Sequence, residues 1–123
     1  MAIVPIPKWV DVFVFGSNLK GIHGATSALE AYKWWGAIWG QGNGFQGKSY
    51  AIPTKGYNLR ESLPLVRIAS FVDEFNEFAE EHSSKKFWVV QIGCGLAGYT
   101  VAQMKPLFQY SPKNCFFAWD MVD

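Results

Sequence analysis

The 123-residue sequence is poor in residues that bind metals or form disulfides. It contains two cysteines, Cys94 and Cys115, and two histidines, His23 and His82. These four residues lack the paired spacing of a zinc site. Thiols usually stay reduced in a chain without a secretion signal. We therefore expect free thiols, no metal and no cofactor.

Long hydrophobic runs are also missing. The longest mostly apolar stretches, Trp9–Phe15 and Phe87–Ile92, have the length of a strand and are far too short to span a bilayer. The segment Met1–Lys8 lacks the positive start and the apolar run of a signal peptide. These absences predict a cytoplasmic protein without membrane association.

The sequence has no excess charge of either sign. Eleven Lys and Arg residues against ten Asp and Glu residues give a formal net charge of +1. Sequence-independent binding to nucleic acid needs many cationic contacts with phosphates. This balance disfavours a dedicated nucleic-acid-binding protein, but it is compatible with backbone amides binding one small anion.

Half of the residues are hydrophobic, and no linker, repeat or low-complexity tract divides the chain, which predicts one domain over residues 1–123. Apolar runs with little alternation are typical of strands covered on both faces. We therefore predict an α/β fold, a three-layer α/β/α sandwich around a mixed, mainly parallel sheet. The predicted strands are Trp9–Phe15, Ala37–Trp39, Tyr50–Ile52, Phe87–Ile92 and Asn114–Ala118, and the predicted helices are Ala25–Trp35, a helix opened by Ser62 and Pro64, and a short helix after Thr100.

Two glycine-rich loops, Gly16–Ala25 and Gly93–Tyr99, each follow a predicted buried strand and precede a helix. Ligands of parallel sheets bind beyond the carboxyl ends of the strands, and helix N-termini attract anions. The two loops could therefore hold a diphosphate largely through backbone amides. Tight turns are the alternative explanation, because neither loop has the spacing of a Walker A or dinucleotide-binding motif.

Several short segments together resemble macrodomains. Gly16-Ser17-Asn18 followed by Gly21–Ala25 is similar to the first ligand loop of that family, and Ile92–Leu96 is similar to its second loop. The segment Tyr50–Lys55 also has a counterpart. The similarity is greatest to small macrodomain-like proteins of bacteria and phages and to the ADP-ribose glycohydrolase branch. It extends from residue 9 to about residue 118.

The resemblance implies that the chain binds ADP-ribose or a related nucleotide. Asn18 would face the distal ribose, and the two loops would straddle the diphosphate. The implied ligand-binding residues, together with aromatic candidates for stacking on the base, are Gly16, Ser17, Asn18, Gly21, Ile22, His23, Gly24, Ala25, Gly93, Cys94, Gly95, Leu96, Ala97, Gly98, Tyr99 and Phe117.

Catalysis is the second hypothesis, an ADP-ribosyl hydrolase that acts through Lys55. This lysine matches the nucleophile of the glycohydrolase branch, and His23 is a candidate acid or base, although it could equally hold its loop in place. Ala97 stands where that branch carries an aspartate. The lost carboxyl group argues against hydrolysis, because the reaction needs a group that moves protons.

The third hypothesis is a ligand-free interaction module of phage or bacterial origin. Trp34, Trp35 and Trp39 are concentrated in one short stretch. Helical spacing turns either Trp34 or Trp35 inward and leaves the other exposed. An exposed tryptophan at position 34 or 39 could anchor a protein partner.

Overall fold

A computed structural model describes residues 5–121, and its centre is a five-stranded sheet with the order β2-β3-β1-β4-β5. Strands β1, β3, β4 and β5 are parallel, and β2 is antiparallel to β3. This sheet confirms the predicted α/β class with a mixed, mainly parallel sheet. The strands are β1 (Val12–Asn18), β2 (Gly44–Gln46), β3 (Ser49–Lys55), β4 (Phe87–Val89) and β5 (Cys115–Phe117).

Helices cover the two faces of the sheet. Helix α2 (Leu65–Glu81) packs a stripe of Ile68, Val72, Phe75 and Ala79 into the larger hydrophobic cluster. Helix α1 (Thr26–Trp34) packs Ala28 and Ala31 against the opposite face. Because both faces are covered, the central strand β1 is apolar from Val12 to Phe15 with no alternation.

The short helix after Thr100 forms as predicted. Thr100 and Gln103 make a capping box at the start of α3 (Val101–Met104), each side chain bonding the other residue's backbone N–H. Pro106 lies in a 3₁₀ turn, Lys105–Phe108, that follows directly. A second 3₁₀ turn, Ala118–Met121, follows β5.

One predicted element between residues 37 and 46 is wrong, and one strand there was not predicted. Ala37–Trp39 is not a strand, because the N–H of Ile38 donates to the side-chain Oε1 of Gln46 rather than to a neighbouring strand. The glycine-rich stretch after it, which lies outside the predicted strands and helices, contains the edge strand β2. The sequence pattern concealed β2 because this strand pairs on one side only and tolerates glycine.

The bounds of four strands also differ from the prediction, and β3 runs from Ser49 to Lys55 rather than from Tyr50 to Ile52. Strand β1 starts at Val12 and runs on to Asn18, while β4 stops at Val89. A tight turn ends β4, since Ile92 N–H donates to the carbonyl of Val90 at 2.7 Å. Strand β5 begins after Asn114, whose amide donates to three carbonyls at the end of α2 and in the following turn. Within residues 5–121, no helix is long and apolar enough to cross a membrane.

Candidate functional site

A cavity of about 810 Å³ opens where β1, β3 and β4 end. Its upper wall includes Gly16 at the end of β1, Thr54 and Lys55 at the end of β3, and the start of the second glycine loop. A Cβ built on Gly16 would lie 3.7 Å from the backbone nitrogen of Gly93, so the loops begin side by side. The parallel sheet thus brings residues far apart in sequence to one edge.

Lys55 is the cationic side chain of this wall. It is half-buried, and it ends β3, where its carbonyl accepts the N–H of Leu19 at 2.9 Å. Neighbouring Thr54 is buried, and its hydroxyl donates to the carbonyl of Ser17 at 3.3 Å. The backbone around Lys55 is therefore fixed to β1, and its ammonium group can meet an anion in the cavity.

The second loop presents unused backbone donors. Over the described part of the chain, the N–H groups of Gly95, Leu96 and Ala97 have no hydrogen-bond acceptor. All three residues line the cavity, and the Leu96 side chain is 65% exposed. Unpaired amides that converge on a cavity are the usual means of binding a phosphate without side-chain charge.

Two side chains hold the far end of this loop. The hydroxyl of Ser62 donates to the carbonyl of Ala97, and the Tyr99 hydroxyl donates to the carbonyl of Leu63 at 2.5 Å. At the near end, Gly93 has a φ of +77°, and a Cβ there would lie 2.8 Å from the sulfur of Met104. The far end of the loop is therefore held by hydrogen bonds, and its near end is packed tightly against Met104.

The start of α1 faces the same cavity. Its N-cap residue, Ala25, provides no side-chain hydrogen bond, and Thr26 and Ser27 line the cavity wall. The first turn of a helix without a capping side chain leaves N–H groups free and carries partial positive charge. Thr26 has a φ of +52°, an unusual conformation for a β-branched residue.

The lower part of the cavity is apolar. Its lining includes Phe13, Trp88 and Ala118, which belong to the hydrophobic cluster on which α1 packs, together with Ile6. Glu30 of α1 also lines the cavity wall. The cavity thus combines backbone hydrogen-bond donors at its mouth with an apolar floor.

The apolar part of the cavity was not predicted from the sequence. Glu30 could have been found, because it lies one helical turn after Thr26 and Ser27 on the helix that follows the first loop. The sequence predicts that Trp88 lies on a buried strand, but it gives no indication that Trp88 lines a cavity. Nothing in the sequence around Ile6 indicates that it would return to the sheet and form a wall.

The first loop has a different environment. The Asn18 side chain donates to the carbonyl of Ile22 at 2.9 Å and accepts the Ile22 N–H at 3.0 Å, which closes the loop on itself. The Ser17 hydroxyl donates to the carbonyl of Gly42. The N–H of Gly40 donates to the carbonyl of Gly21 at 2.8 Å. The polar groups of the first loop thus have their hydrogen-bond partners within the protein.

His23 is fully buried in this loop, with its ring edge-on to Phe15 and near Trp39. Its Nε2–H donates to the carbonyl of Gln41 at 3.0 Å. The other ring nitrogen, Nδ1, has no partner among residues 5–121. His23 does not line the cavity, and its placement favours the loop-holding role over acid–base chemistry.

The predicted site residues therefore divide into two groups. Six of them line the cavity: Gly16, Lys55, Gly93, Gly95, Leu96 and Ala97. The others are not part of its lining: Ser17, Asn18, Gly21, Ile22, His23, Gly24, Ala25, Cys94, Gly98, Tyr99 and Phe117. Phe117 instead lines a shallow groove with Phe108 and Trp119.

Both cysteines are free thiols. Burial raises the pKa of Cys94 above its usual value and raises the pKa of Cys115 to about 12. Each thiol therefore stays protonated at neutral pH. Cys94 is a loop-packing residue rather than a nucleophile.

The tryptophan cluster separates as helical spacing predicted. Trp35 turns inward and stacks on Phe13 with the ring centroids 5.4 Å apart, whereas Trp34 is 73% exposed. Trp39 is 50% exposed and packs edge-on against Tyr32. Trp34 and Trp39 are thus both accessible for contact with another molecule.

No protein-family model matches the sequence. No curated protein matches it either. The fold, in contrast, is similar to solved structures. The macrodomain of DarG from Mycobacterium tuberculosis aligns over 89% of this chain and 88% of that chain, with a TM-score of 0.65 and 16% identity.

DarTG of Thermosipho africanus, solved in complex with ADP-ribose, aligns with a TM-score of 0.65 and 14% identity over 94% of this chain. The aligned part is 40% of that longer chain. A protein of unknown function from Bacteroides thetaiotaomicron aligns with a TM-score of 0.63 and 17% identity over 92% of this chain and 90% of its own. These similarities show that the fold is macrodomain-like.

Proposed function

We propose that the cavity binds ADP-ribose or a related nucleotide-diphosphate metabolite. The observation that carries this proposal is the pair of donor groups at the cavity mouth. The free amides of Gly95–Ala97 lie on one wall, and the uncapped first turn of α1 lies on another. A diphosphate is an anion that can be bound from both walls at once.

The chemistry of the rest of the cavity agrees with such a ligand. Lys55 adds a positive charge at the mouth, while Phe13, Trp88 and Ala118 provide an apolar floor. Ligand pockets commonly combine a mainly apolar lining with a few well-placed polar groups. A nucleotide diphosphate has the matching parts, an anionic centre joined to a flat base.

The similar structures give independent support. One of them, DarTG of Thermosipho africanus, was solved with ADP-ribose bound. At 14% identity the similarity carries the fold and not the ligand. ADP-ribose is therefore the first compound to test.

The direct test is calorimetric titration of the protein with ADP-ribose. We expect saturable heat, and the Gly95→Asp variant should bind at least about tenfold more weakly, since a carboxylate would then face the diphosphate. Gly95→Asn is the matched control, with the same shape and no charge, and should stay within about threefold of the wild type. A Cβ at Gly95 meets nothing within 4 Å, so both variants should fold.

Two results would contradict the proposal. The first is a folded wild-type protein that gives no heat with millimolar ADP-ribose. The second is equal affinity of the Asp and Asn variants, which would place the anion away from this loop.

A hydrolase that acts through Lys55 is the second candidate function. The observation in its favour is that Lys55 is half-buried in the wall of the same cavity. The neutral amine of Lys55 would form a bond to the anomeric carbon of the ribose while the bond to the acceptor breaks, and the nitrogen would pass its extra proton to the departing acceptor. Water would then displace the lysine and release the ribose. Ala97 carries no acid for these proton transfers.

Turnover of an ADP-ribosylated acceptor tests this candidate. Lys55→Met should abolish turnover and keep the part of the binding that the backbone donors provide, and Lys48→Met, a change at an exposed lysine outside the cavity, is the control. Turnover that survives in Lys55→Met would exclude the lysine mechanism.

The single-domain organisation, the cytoplasmic location and a protein partner for Trp34 or Trp39 also stay predictions.

A further inference from the structure

The turn that joins β3 to α2 begins at the cavity wall. Its end residues, Lys55 and Ser62, pair as an isolated antiparallel bridge. Next to this pair, the N–H of Gly56 donates to the carbonyl of Glu61 at 2.9 Å. The backbone of Ser62 is therefore fixed to the strand that carries Lys55.

The second glycine loop contains a β-turn, Gly95–Gly98. The Gly98 N–H donates to the carbonyl of Gly95 at 3.0 Å, which leaves Leu96 and Ala97 as the two central residues of the turn. The N–H groups of both central residues have no acceptor among residues 5–121, and both residues line the cavity. The direction of these two donors depends on how the turn is held.

Ser62 holds this turn from outside the loop. Its side chain is half-buried, and its hydroxyl donates to the carbonyl of Ala97. Within residues 5–121, no other hydrogen bond joins residues 95–98 to the rest of the protein. The Tyr99 hydroxyl, in contrast, holds the chain one residue beyond the turn. Without the Ser62 hydroxyl, the turn would keep only the hydrogen bond inside it.

We propose that Ser62 is a positioning residue that orients the amides of Leu96 and Ala97 toward the phosphate groups of the ligand before the ligand binds. The inference rests on the proposed function and assigns part of the ligand affinity to this hydroxyl. Ser62 is not part of the cavity lining, so it acts on the ligand through the turn. An anion that meets an ordered turn need not order it, whereas a loose turn loses conformational entropy on binding.

The experiment is calorimetric titration of three Ser62 variants with ADP-ribose. Ser62→Ala removes the hydroxyl, and Ser62→Cys keeps the size of the side chain with a much weaker donor, so both should weaken binding at least about fivefold. Ser62→Thr keeps the hydroxyl and should stay within about twofold of the wild type. Ser70→Ala, at an exposed serine of α2 outside the cavity, is the control and should bind as the wild type does.

Amide NMR signals of the ligand-free protein give a second measurement. In Ser62→Ala the signals of Leu96 and Ala97 should shift or broaden, because the turn has lost its outside partner. The signals of His23 and Gly24 in the first loop should stay in place. Ser62→Thr should restore the wild-type signals of the turn.

Three results would overturn the inference. Equal affinity of Ser62→Ala and the wild type means that the hydroxyl does not contribute to binding. Weakening by Ser62→Thr as large as by Ser62→Ala means that packing matters rather than the hydroxyl. Weaker binding with unchanged signals of Leu96 and Ala97 means that the effect does not pass through the turn.

Failure of the proposed function has a different signature. A folded wild-type protein that does not bind ADP-ribose rejects that function, whatever the variants do. The amide signals then still show whether the Ser62 hydroxyl orders the turn.

Discussion

The two glycine loops look alike in sequence but have different physical roles. The first loop packs closely against the Gly40–Gly42 segment, since a Cβ on Gly21 would overlap Gly40 and a Cβ on Gly42 would overlap the carbonyl of Asn18. In the second loop, Gly95 and Gly98 have no atom within 4 Å of a built Cβ. Gly21 therefore allows close contact between two backbone segments, whereas Gly95 and Gly98 leave the backbone of the second loop accessible.

The polar groups follow the same division. Ser17, Asn18 and His23 make their hydrogen bonds inside the protein, whereas the amides of the second loop have free donors. We infer that changes in the first loop mainly alter stability and that changes in the second mainly alter ligand binding. Four substitutions in the two loops and in the segments next to them are described in order of decreasing expected effect.

Gly42→Ala should have the largest effect. The new Cβ would overlap the carbonyl of Asn18, so the backbone of one segment must move, and we expect a loss of about 3 kcal/mol in the free energy of unfolding. Gly95→Ala is the control and should change that free energy by less than about 0.5 kcal/mol. Urea denaturation measures both. Similar values for the two variants would remove the distinction between the loops.

Asn18→Ala should have the next largest effect. It removes the two hydrogen bonds that close the first loop on Ile22, and we expect a loss of about 1–2 kcal/mol in the free energy of unfolding. Because Asn18 is not part of the cavity lining, ADP-ribose affinity should change less than about threefold. Lost affinity with unchanged stability would show instead that Asn18 contacts the ligand.

Tyr99→Phe tests the attachment of the second loop. The variant loses the hydrogen bond to the carbonyl of Leu63, and we expect it to cost about 1 kcal/mol. Amide hydrogen exchange should accelerate in residues 95–99 and stay unchanged in residues 17–25. Faster exchange in both loops would indicate that they open together.

Thr26→Asn should have the smallest effect. Thr26 has a φ of +52°, and asparagine tolerates this left-handed conformation better than a β-branched residue does. We expect an increase of about 0.5 kcal/mol in the free energy of unfolding. Thermal denaturation checks the sign. A decrease would mean that the Thr26 side chain makes a contribution that outweighs its backbone strain.

The sequence was sufficient for the features that local chemistry determines. The stripe on α2, the capping box at Thr100 and the parallel arrangement of apolar strands each follow from short-range patterns, and the structure contains all three. The macrodomain resemblance likewise identified both loops. It could not tell which loop residues face the cavity, since that depends on the distant Gly40–Gln46 segment.

The missed features depend on long-range contacts. β2 forms because it can pair with the free edge of β3. The N–H of Ile38 donates to the side chain of Gln46 rather than to a neighbouring strand. The position of Ile6 likewise depends on the packing of Trp9 against Trp88 and Phe116. None of these pairings leaves a periodic signal in the sequence.

The central position of β1 has a consequence for how the chain is made. Phe13 pairs with Ser49, and Val12 pairs with Phe87. The strand that is synthesised first therefore cannot pair at both edges until β3 and β4 have been synthesised. Until about residue 90 has left the ribosome, the apolar stretch Val12–Phe15 has one open edge. This interval is when aggregation competes with folding, and a slower rate of translation between β3 and β4 would lengthen it.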